Sequence, residues 1–486
     1  MDLLVIDEGT TSTRAMLFAA DGLCHGSEQR DLVQHHPGPG LVEHDAEEIW
    51  AKSLACARTL IEDKGAAGRI RALGITNQRE TIVFWSRRTG RPLAPAIVWQ
   101  DRRTADACAR LKTEGREPFI QAKTGLLLDP YFSASKIAWA LAHWPQLREA
   151  GDDLCIGTVE SYLVFRLTGG LHVSDATNAS RTALMDIAAG SWDEELLDLW
   201  GVPRGALPEI VDCAGPIGET LPELFGGPLP IAGLAGDQQA AAIGQACFAP
   251  GDTKGTYGTG AFILTHTGTE LRRSRHRLLS TIAWQLGGAR RYALEGSVFV
   301  AGSLVKWLRD GLGLLGHAGE SESLARSVPD NGGVYLVPAL SGLGAPHWQP
   351  DARAALSGLS FASGRAHVAR AALEAMAHQT HDLMTAFAGD GARWHCLKVD
   401  GGMIGNDWIA QDLADMLDLD VERPRFVETT ALGAAMLAGV GSGLFASLEE
   451  AAGMRGAVER FAPAMTSAAR DARLAGWGQA VARVLG

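Results

Sequence analysis

Residues 3–22, LLVIDEGTTSTRAMLFAADG, set one apolar strand against another across a turn rich in polar chemistry. The turn carries Asp7 and Glu8 side by side, then Gly9, the hydroxyls of Thr10, Thr11 and Ser12, and Arg14. Residues 251–268, GDTKGTYGTGAFILTHTG, repeat the plan of strand, Gly-Thr turn and strand. Glycine lets the backbone take positive φ and lets a ligand approach closely. Turn amides and hydroxyls can ring a phosphate. A single Gly-Thr turn is most often a connector; two of them point to two related domains facing one nucleotide. No GxxxxGK[ST] occurs, so the phosphate loop expected here is not of the Walker type.

Around these hairpins, strand-like and helix-like segments alternate, which is the pattern of α/β domains. RALGIT, ETIVFW, GGVYLVPAL and CLKVDGG read as further strands. DAEEIWAKSLACARTLIED reads as a helix with Asp45 at the N-cap and Glu48 three residues on, a capping-box pattern. HVARAALEAMAHQTHDLMTAFA and TSAARDARLAGWGQAVARVLG read as long helices. Pro250 and Gly251, in CFAPGDTK at 247–254, are expected to break the preceding helix and mark a domain boundary. The uncharged stretch 431–448, ALGAAMLAGVGSGLFASL, reads as a buried, close-packed helix ending in a glycine turn rather than a membrane span.

The chain of 486 residues is long enough for two or three domains. Its net charge of −12 argues against nucleic acid as the main partner, since a polyanion would be repelled. Seven scattered cysteines without a CxxC fit reduced thiols in a cytoplasmic enzyme, and no signal peptide is expected at the N-terminus. His35, His36 and His44 lie close together but lack metal-ligand spacing.

On spacing alone, Asp237 in GLAGDQQAA is a helix N-cap candidate. Arg79 and Glu80 in NQRET read as a solvent ion pair or as neighbours on opposite faces of a strand. Trp99 and Phe262, as aromatics on strands, read as core.

Several blocks change that weighting: DEGTTSTR, GITNQRET, AIVWQDRRT, GLLLDPYFSASKIAW, TNASRTALMDI, GLAGDQQAA, TYGTGAF, ALEGSVFVAGSLVKWLRD, GLGAPHW, VDGGMIGND and ETTALGAAMLAG. In this order they resemble the FGGY carbohydrate kinases over nearly the whole chain, and GITNQRET and DPYFS resemble the branch of that family that phosphorylates glycerol. The resemblance implies an α/β protein of two actin-like, ribonuclease H-like domains with the ligand cleft between them. The N-terminal domain is expected over residues 1–248, with the polyol site and first phosphate loop. The C-terminal domain is expected over 249–486, with the second phosphate loop and adenosine site.

The implied reaction is ATP-dependent phosphorylation of glycerol to sn-glycerol 3-phosphate. Phosphoryl transfer to an alcohol needs a proton acceptor, in-line positioning and charge neutralisation. The resemblance makes Asp237 the general base and Gln238 a second polar contact to substrate. Arg79 and Glu80 become a polyol clamp, Tyr131 adds a hydroxyl, and Trp99 and Phe262 wall the carbon backbone. Thr10, Thr11, Ser12 and Arg14 match the first phosphate loop and Thr259 the second. Gly302, Lys306, Gly402 and Asn406 match the adenosine side. Asp7 and Asp237 are expected to orient Mg²⁺ through water, since Mg²⁺ takes few protein ligands.

Four positions depart from the family pattern. Glu8 stands where glutamine is usual, which leaves a side chain facing away from the phosphate or one paired with Arg14 or Mg²⁺. Lys306 replaces a glutamine, and His347 and Gln349 replace tyrosine and aspartate. ELFGGPLP lacks the cations of a sugar-bisphosphate inhibitor loop, so no inhibition by fructose 1,6-bisphosphate is expected. Other short substrates (erythritol, dihydroxyacetone) and an actin-like ATPase without a polyol remain alternatives. No membrane span is expected, and a homodimer and a homotetramer both stay open.

Overall fold

The computed structural model describes residues 1–349 and 351–486. Its first half is built on β1 (Asp2–Glu8), β2 (Ser12–Ala19), β3 (Cys24–Asp31), helix α1 (Ala46–Asp63), β4 (Ile70–Asn77), β5 (Ala214–Glu219), β6 (Pro230–Gly236) and helix α2 (Asp237–Gly244). The second half uses β7 (Asp252–Tyr257), β8 (Ala261–Gly268), β9 (Leu279–Leu286), β10 (Ala289–Val298), helix α3 (Arg365–Gly389), β11 (Cys396–Asp400), β12 (Val421–Pro424), helix α4 (Thr429–Gly441) and β13 (Val458–Phe461).

The strands form one sheet per half, in the orders β5-β6-β4-β1-β2-β3 and β9-β10-β8-β7-β11-β12-β13. The orders correspond strand for strand. In each, a central hairpin (β1–β2, β7–β8) is antiparallel, and its first strand pairs in parallel with β4 or β11. The next neighbour, β6 or β12, is again parallel, and the outer strand, β5 or β13, antiparallel. The repeat seen in the two Gly-Thr segments is therefore a repeat of whole sheets, with β9 added at the edge of the second.

β1 is buried along its length, as expected of a central strand covered on both faces. Helix α1 covers one face of the first sheet, packing against β1, β2 and β3. The other face is covered by α4, which comes from the far end of the chain and lies over β1, β4 and β6. That helix is the uncharged stretch from 431. It is apolar all round because it is buried all round, and Gly443 turns the chain after it at φ +70°. Helices α2 and α4 cross where Gly244 meets the Thr429 carbonyl and Gly433 meets the Ala240 carbonyl. A Cβ at either glycine would sit 2.0 or 1.8 Å from that oxygen, so only glycine permits this approach.

Two local expectations fail and a third holds only in part. Helix α2 ends at Gly244, before Pro250 and Gly251, with Ala246 in the left-handed region at φ +52°. Asp45 caps α1 by accepting from the Glu47 amide at 2.8 Å, but no capping box closes. Glu48 is drawn instead to Lys52 Nζ (2.6 Å) and the Val33 amide (3.2 Å). GGVYLVPAL yields only a short strand, Tyr335–Val337. Among the described residues, no helix is long and apolar enough to cross a membrane.

Candidate active site

The turn after β4 and the N-terminus of α2 meet at the centre of the molecule. Arg79 is in that turn, before the strand Ile82–Ser86, and is wholly enclosed. Its guanidinium makes a bidentate pair with Glu295 of β10, at 2.6 and 3.1 Å, and reaches Gln239 Oε1 at 3.2 Å. Its Nε lies 3.2 Å from Asp237 Oδ1 and 3.9 Å from Glu80 Oε1. Arg79 and Glu80 are thus neither solvent-exposed nor on opposite faces of a strand.

Glu80 adopts φ +64°, an uncommon conformation for a residue with a long side chain. Its carbonyl accepts from Ser133 Oγ at 3.0 Å and its carboxylate from Arg181 Nε at 2.5 Å. Arg181 in turn donates to Glu295 at 3.0 Å, closing a buried ring of two arginines and two glutamates. Burial works to raise the Glu295 carboxyl, but Arg181 and Arg79 outweigh it and hold it down at about 2. Glu295 stays ionised, so both guanidiniums keep a fixed partner.

Asp237 is the first residue of α2, and Gly236 occupies the N-cap position assigned to Asp237 on spacing alone. Its carboxylate accepts from the Gln238 amide at 2.7 Å. Burial raises its pKa above the ordinary carboxylate value, while Arg79 and then Lys254 pull it back. Gln238 is buried and accepts from Lys254 Nζ, which also donates to Thr256 Oγ1 at 2.8 Å.

An aromatic wall stands beside the cluster. The Trp99 ring meets Tyr131 edge-on at 5.5 Å and Phe262, on β8 of the other half, at 6.4 Å. Trp99 Nε1 donates to Thr10 Oγ1 at 3.0 Å, tying the wall to the first Gly-Thr turn. These aromatics span both halves rather than filling one core.

Along β1 the two acids part. Asp7 accepts from Arg14 Nη2 at 2.6 Å, and Arg14 Nη1 crosses to Glu428 beside α4 at 2.6 Å. Glu8 points the other way, as strand alternation requires. Its Oε2 accepts from Ser53 Oγ of α1 at 2.7 Å, and its Oε1 has no partner. Glu8 therefore pairs with no cation and does not face the cleft. Burial pushes its carboxyl up to about 8, against the Thr13 and Ser53 hydroxyls, so it is neutral at pH 7 and resembles the glutamine it replaces.

The second turn, Gly258–Gly260, docks on the helix Gly302–Asp310. The Thr259 carbonyl accepts from the Ala301 and Ser303 amides at 2.9 and 3.1 Å, and the Gly302 amide donates to the Gly258 carbonyl at 2.8 Å. Gly402 has open space where a side chain would stand. Asn406 caps the helix Asp407–Leu417 through the Trp408 and Ile409 amides. Thr11 and Lys306 are exposed, and Ser12 is half-buried. Among the described residues no group of three or more His, Cys, Asp or Glu side chains could hold a metal ion, and His44 lies buried without a ligand set.

Reading the chain missed Glu295, Arg181 and Lys254. Arg181 and Glu295 lie within blocks that matched the family and Lys254 two residues before one, but nothing in their neighbours shows that they are buried against charge. The domain models of the FGGY family of carbohydrate kinases match this chain over residues 3–244 (N-terminal domain) and 254–442 (C-terminal domain). It is 54% identical over 485 residues to a glycerol kinase of Rhodospirillum centenum, covering 99% of this chain and 97% of that one. It is 55% identical over 488 residues to one of Rhodospirillum rubrum, covering 99% and 98%. Among solved structures, Plasmodium falciparum glycerol kinase with ADP matches at a TM-score of 0.94 and 35% identity, covering 100% of this chain and 98% of that one. A Rhodospirillum rubrum xylulose kinase, at 23% identity and a TM-score of 0.87, shares the fold. The doubled sheet, the buried ion ring beside Asp237 and these matches along both halves make one finding: this chain belongs to the FGGY family of carbohydrate kinases.

Proposed function

We propose that this chain transfers the γ-phosphoryl group of ATP to glycerol, forming sn-glycerol 3-phosphate and ADP. The observation that carries the reading is the convergence of Asp237, Arg79 and Glu80 beside the Trp99–Tyr131–Phe262 wall. Relatives that cover the whole chain and are glycerol kinases support it.

Asp237 accepts the proton of the attacking hydroxyl as its oxygen bonds to the γ-phosphorus and the bond from that phosphorus to the bridging oxygen of ADP breaks. A carboxylate raised by burial is a stronger base than an exposed one, and Arg79 and Lys254 oppose part of that rise. Glu80 and Arg79 hold the remaining hydroxyls. Held as they are by Arg181 and Glu295, they pay little reorganisation on binding. The aromatic wall suits a short carbon chain and excludes water that would compete as acceptor.

Thr10, Thr11, Ser12, Arg14 and Thr259 line the two turns where phosphates are to be held. Gly302, Lys306, Gly402 and Asn406 form the nucleoside side, and Gln238 the second substrate contact. The acids present fit Mg²⁺ bound mainly by phosphate and water, because Asp7 keeps one oxygen beyond its pair with Arg14 and no protein cage exists among the described residues. When bound, Mg²⁺ neutralises charge on the phosphates. We take residues 1–248 and 249–486 as the two closing domains, with ATP hydrolysis low until glycerol lets them close.

The test is ATP turnover by purified protein with glycerol, erythritol and dihydroxyacetone. Glycerol is expected to give the highest kcat/KM. A higher value for either alternative moves the assignment to that substrate, and full ATP hydrolysis without any polyol removes the kinase reading.

A further inference from the structure

Asp175 lies at the N-terminus of the four-residue helical turn Ala176–Ala179, wholly buried. Capping that turn needs one bond, from the Thr177 amide, and it is present at 2.7 Å. Three further donors also converge on the carboxylate: Thr177 Oγ1 at 2.5 Å, Asn178 Nδ2 at 2.7 Å and Cys213 Sγ at 3.4 Å. A cap does not require them.

Two of these donors lead on to the active site. The Thr177 hydroxyl proton is committed to Asp175, so its oxygen meets its other neighbour as an acceptor. That neighbour is the Gly236 amide at 2.9 Å, directly before Asp237. Asn178 Nδ2 also donates to Asn77 Oδ1 at 2.9 Å, and Asn178 Oδ1 accepts from Asn77 Nδ2 at 3.0 Å. Asn77 Nδ2 in turn reaches the Gln78 carbonyl at 2.9 Å, directly before Arg79. The two arms rejoin at the site, where a Cβ on Gly236 would lie 2.7 Å from Arg79 Cγ.

We propose that Asp175 is a positioning residue for phosphoryl transfer, setting Asp237 through Thr177 and the Arg79–Glu80 clamp through Asn178. The inference rests on the proposed roles of Asp237, Arg79 and Glu80. A carboxylate suits the role, because its two oxygens accept from both arms and order their donors in one sense. An amide at this place would offer a donor to one arm and break it.

The arms predict different kinetic losses. Thr177→Val keeps shape but removes the acceptor for Gly236; kcat falls about tenfold or more, while the glycerol KM stays within about threefold. Thr177→Ser keeps the hydroxyl and restores kcat to within about threefold of the parent. Asn178→Ala frees the clamp loop and raises the glycerol KM about fivefold, with the smaller change in kcat. Asp175→Asn shows the loss of the arm that meets its amide nitrogen. Melting temperature and ATP affinity are measured alongside, and the isosteric Thr177→Val carries the test if Asp175→Asn does not fold. Unchanged constants in Thr177→Val and Asn178→Ala overturn the inference, as do equal losses in Thr177→Val and Thr177→Ser that follow a lowered melting temperature. Those results with an inactive Asp237→Asn remove only the role of Asp175, whereas an active Asp237→Asn removes the reading of the site itself.

Discussion

The two Gly-Thr hairpins hold equivalent places in their sheets and do different work. Glu8 precedes the first turn and Tyr257 the second, and each is buried beneath its sheet against a helix. Glu8 meets Ser53 of α1 at 2.7 Å, and Tyr257 meets Thr380 of α3 at 2.9 Å. One residue earlier the chains turn to the cleft. There Asp7 holds Arg14, while Thr256 holds Lys254, which also reaches Gln238 beside the proposed base. The repeat has kept backbone and burial and exchanged the charges. The first hairpin carries an acid, Asp7, that holds a cation, and the second supplies a cation to the helix of Asp237.

If that division holds, Lys254→Met has the largest effect of the substitutions that compare the hairpins. It removes the cation that ties Gln238 to Thr256 and lowers Asp237, and kcat is expected to drop about 100-fold with the fold intact. Steady-state kinetics with a circular-dichroism control measure this, and a change below about threefold would break the comparison.

Glu8→Gln sharpens it through pH. The folded Glu8 pKa of about 8 lies above its ordinary 4.5, so the unfolded chain releases its proton first as pH rises. Stability is therefore lost between those values, and the loss is complete above about pH 8. At about 1.4 kcal/mol per pKa unit, the cost is a few kcal/mol. Glutamine does not titrate, so Glu8→Gln is expected to raise the melting temperature at pH 8 and change it little at pH 5. Equal differences at both pH values would contradict the burial of an ionisable acid there. The smallest effect belongs to the second hairpin: Thr380→Val removes the partner of Tyr257, costing about 1 kcal/mol in chemical denaturation, the same at pH 5 and pH 8 because neither group titrates in that range.

Both hairpins, α1 and the apolar α4 were legible in the sequence because turn residues and hydrophobic period are local signals. So was the direction of Glu8 as one of two readings, since alternation along β1 puts Asp7 and Glu8 on opposite faces. The ion ring was not legible. Glu295 meets Arg79 across 216 residues and Arg181 across 114, and contacts at that range leave no mark on neighbouring residues. Local rules failed where a side chain had a competing partner. Glu48 fitted a capping box by spacing but is held by Lys52 and Val33. Asp237 fitted an N-cap by type, but Gly236, pressed against Arg79, takes that place and leaves Asp237 facing the clamp.

The most direct test of the site is single-turnover phosphorylation of glycerol by Asp237→Asn, with ATP binding measured on the same protein. Loss of the proton acceptor is expected to slow transfer by a factor of about 10³ while ATP affinity stays within about threefold of the parent. Transfer within about tenfold of the parent rate would contradict Asp237 as the base, and with it this account of how the chain acts on its substrate.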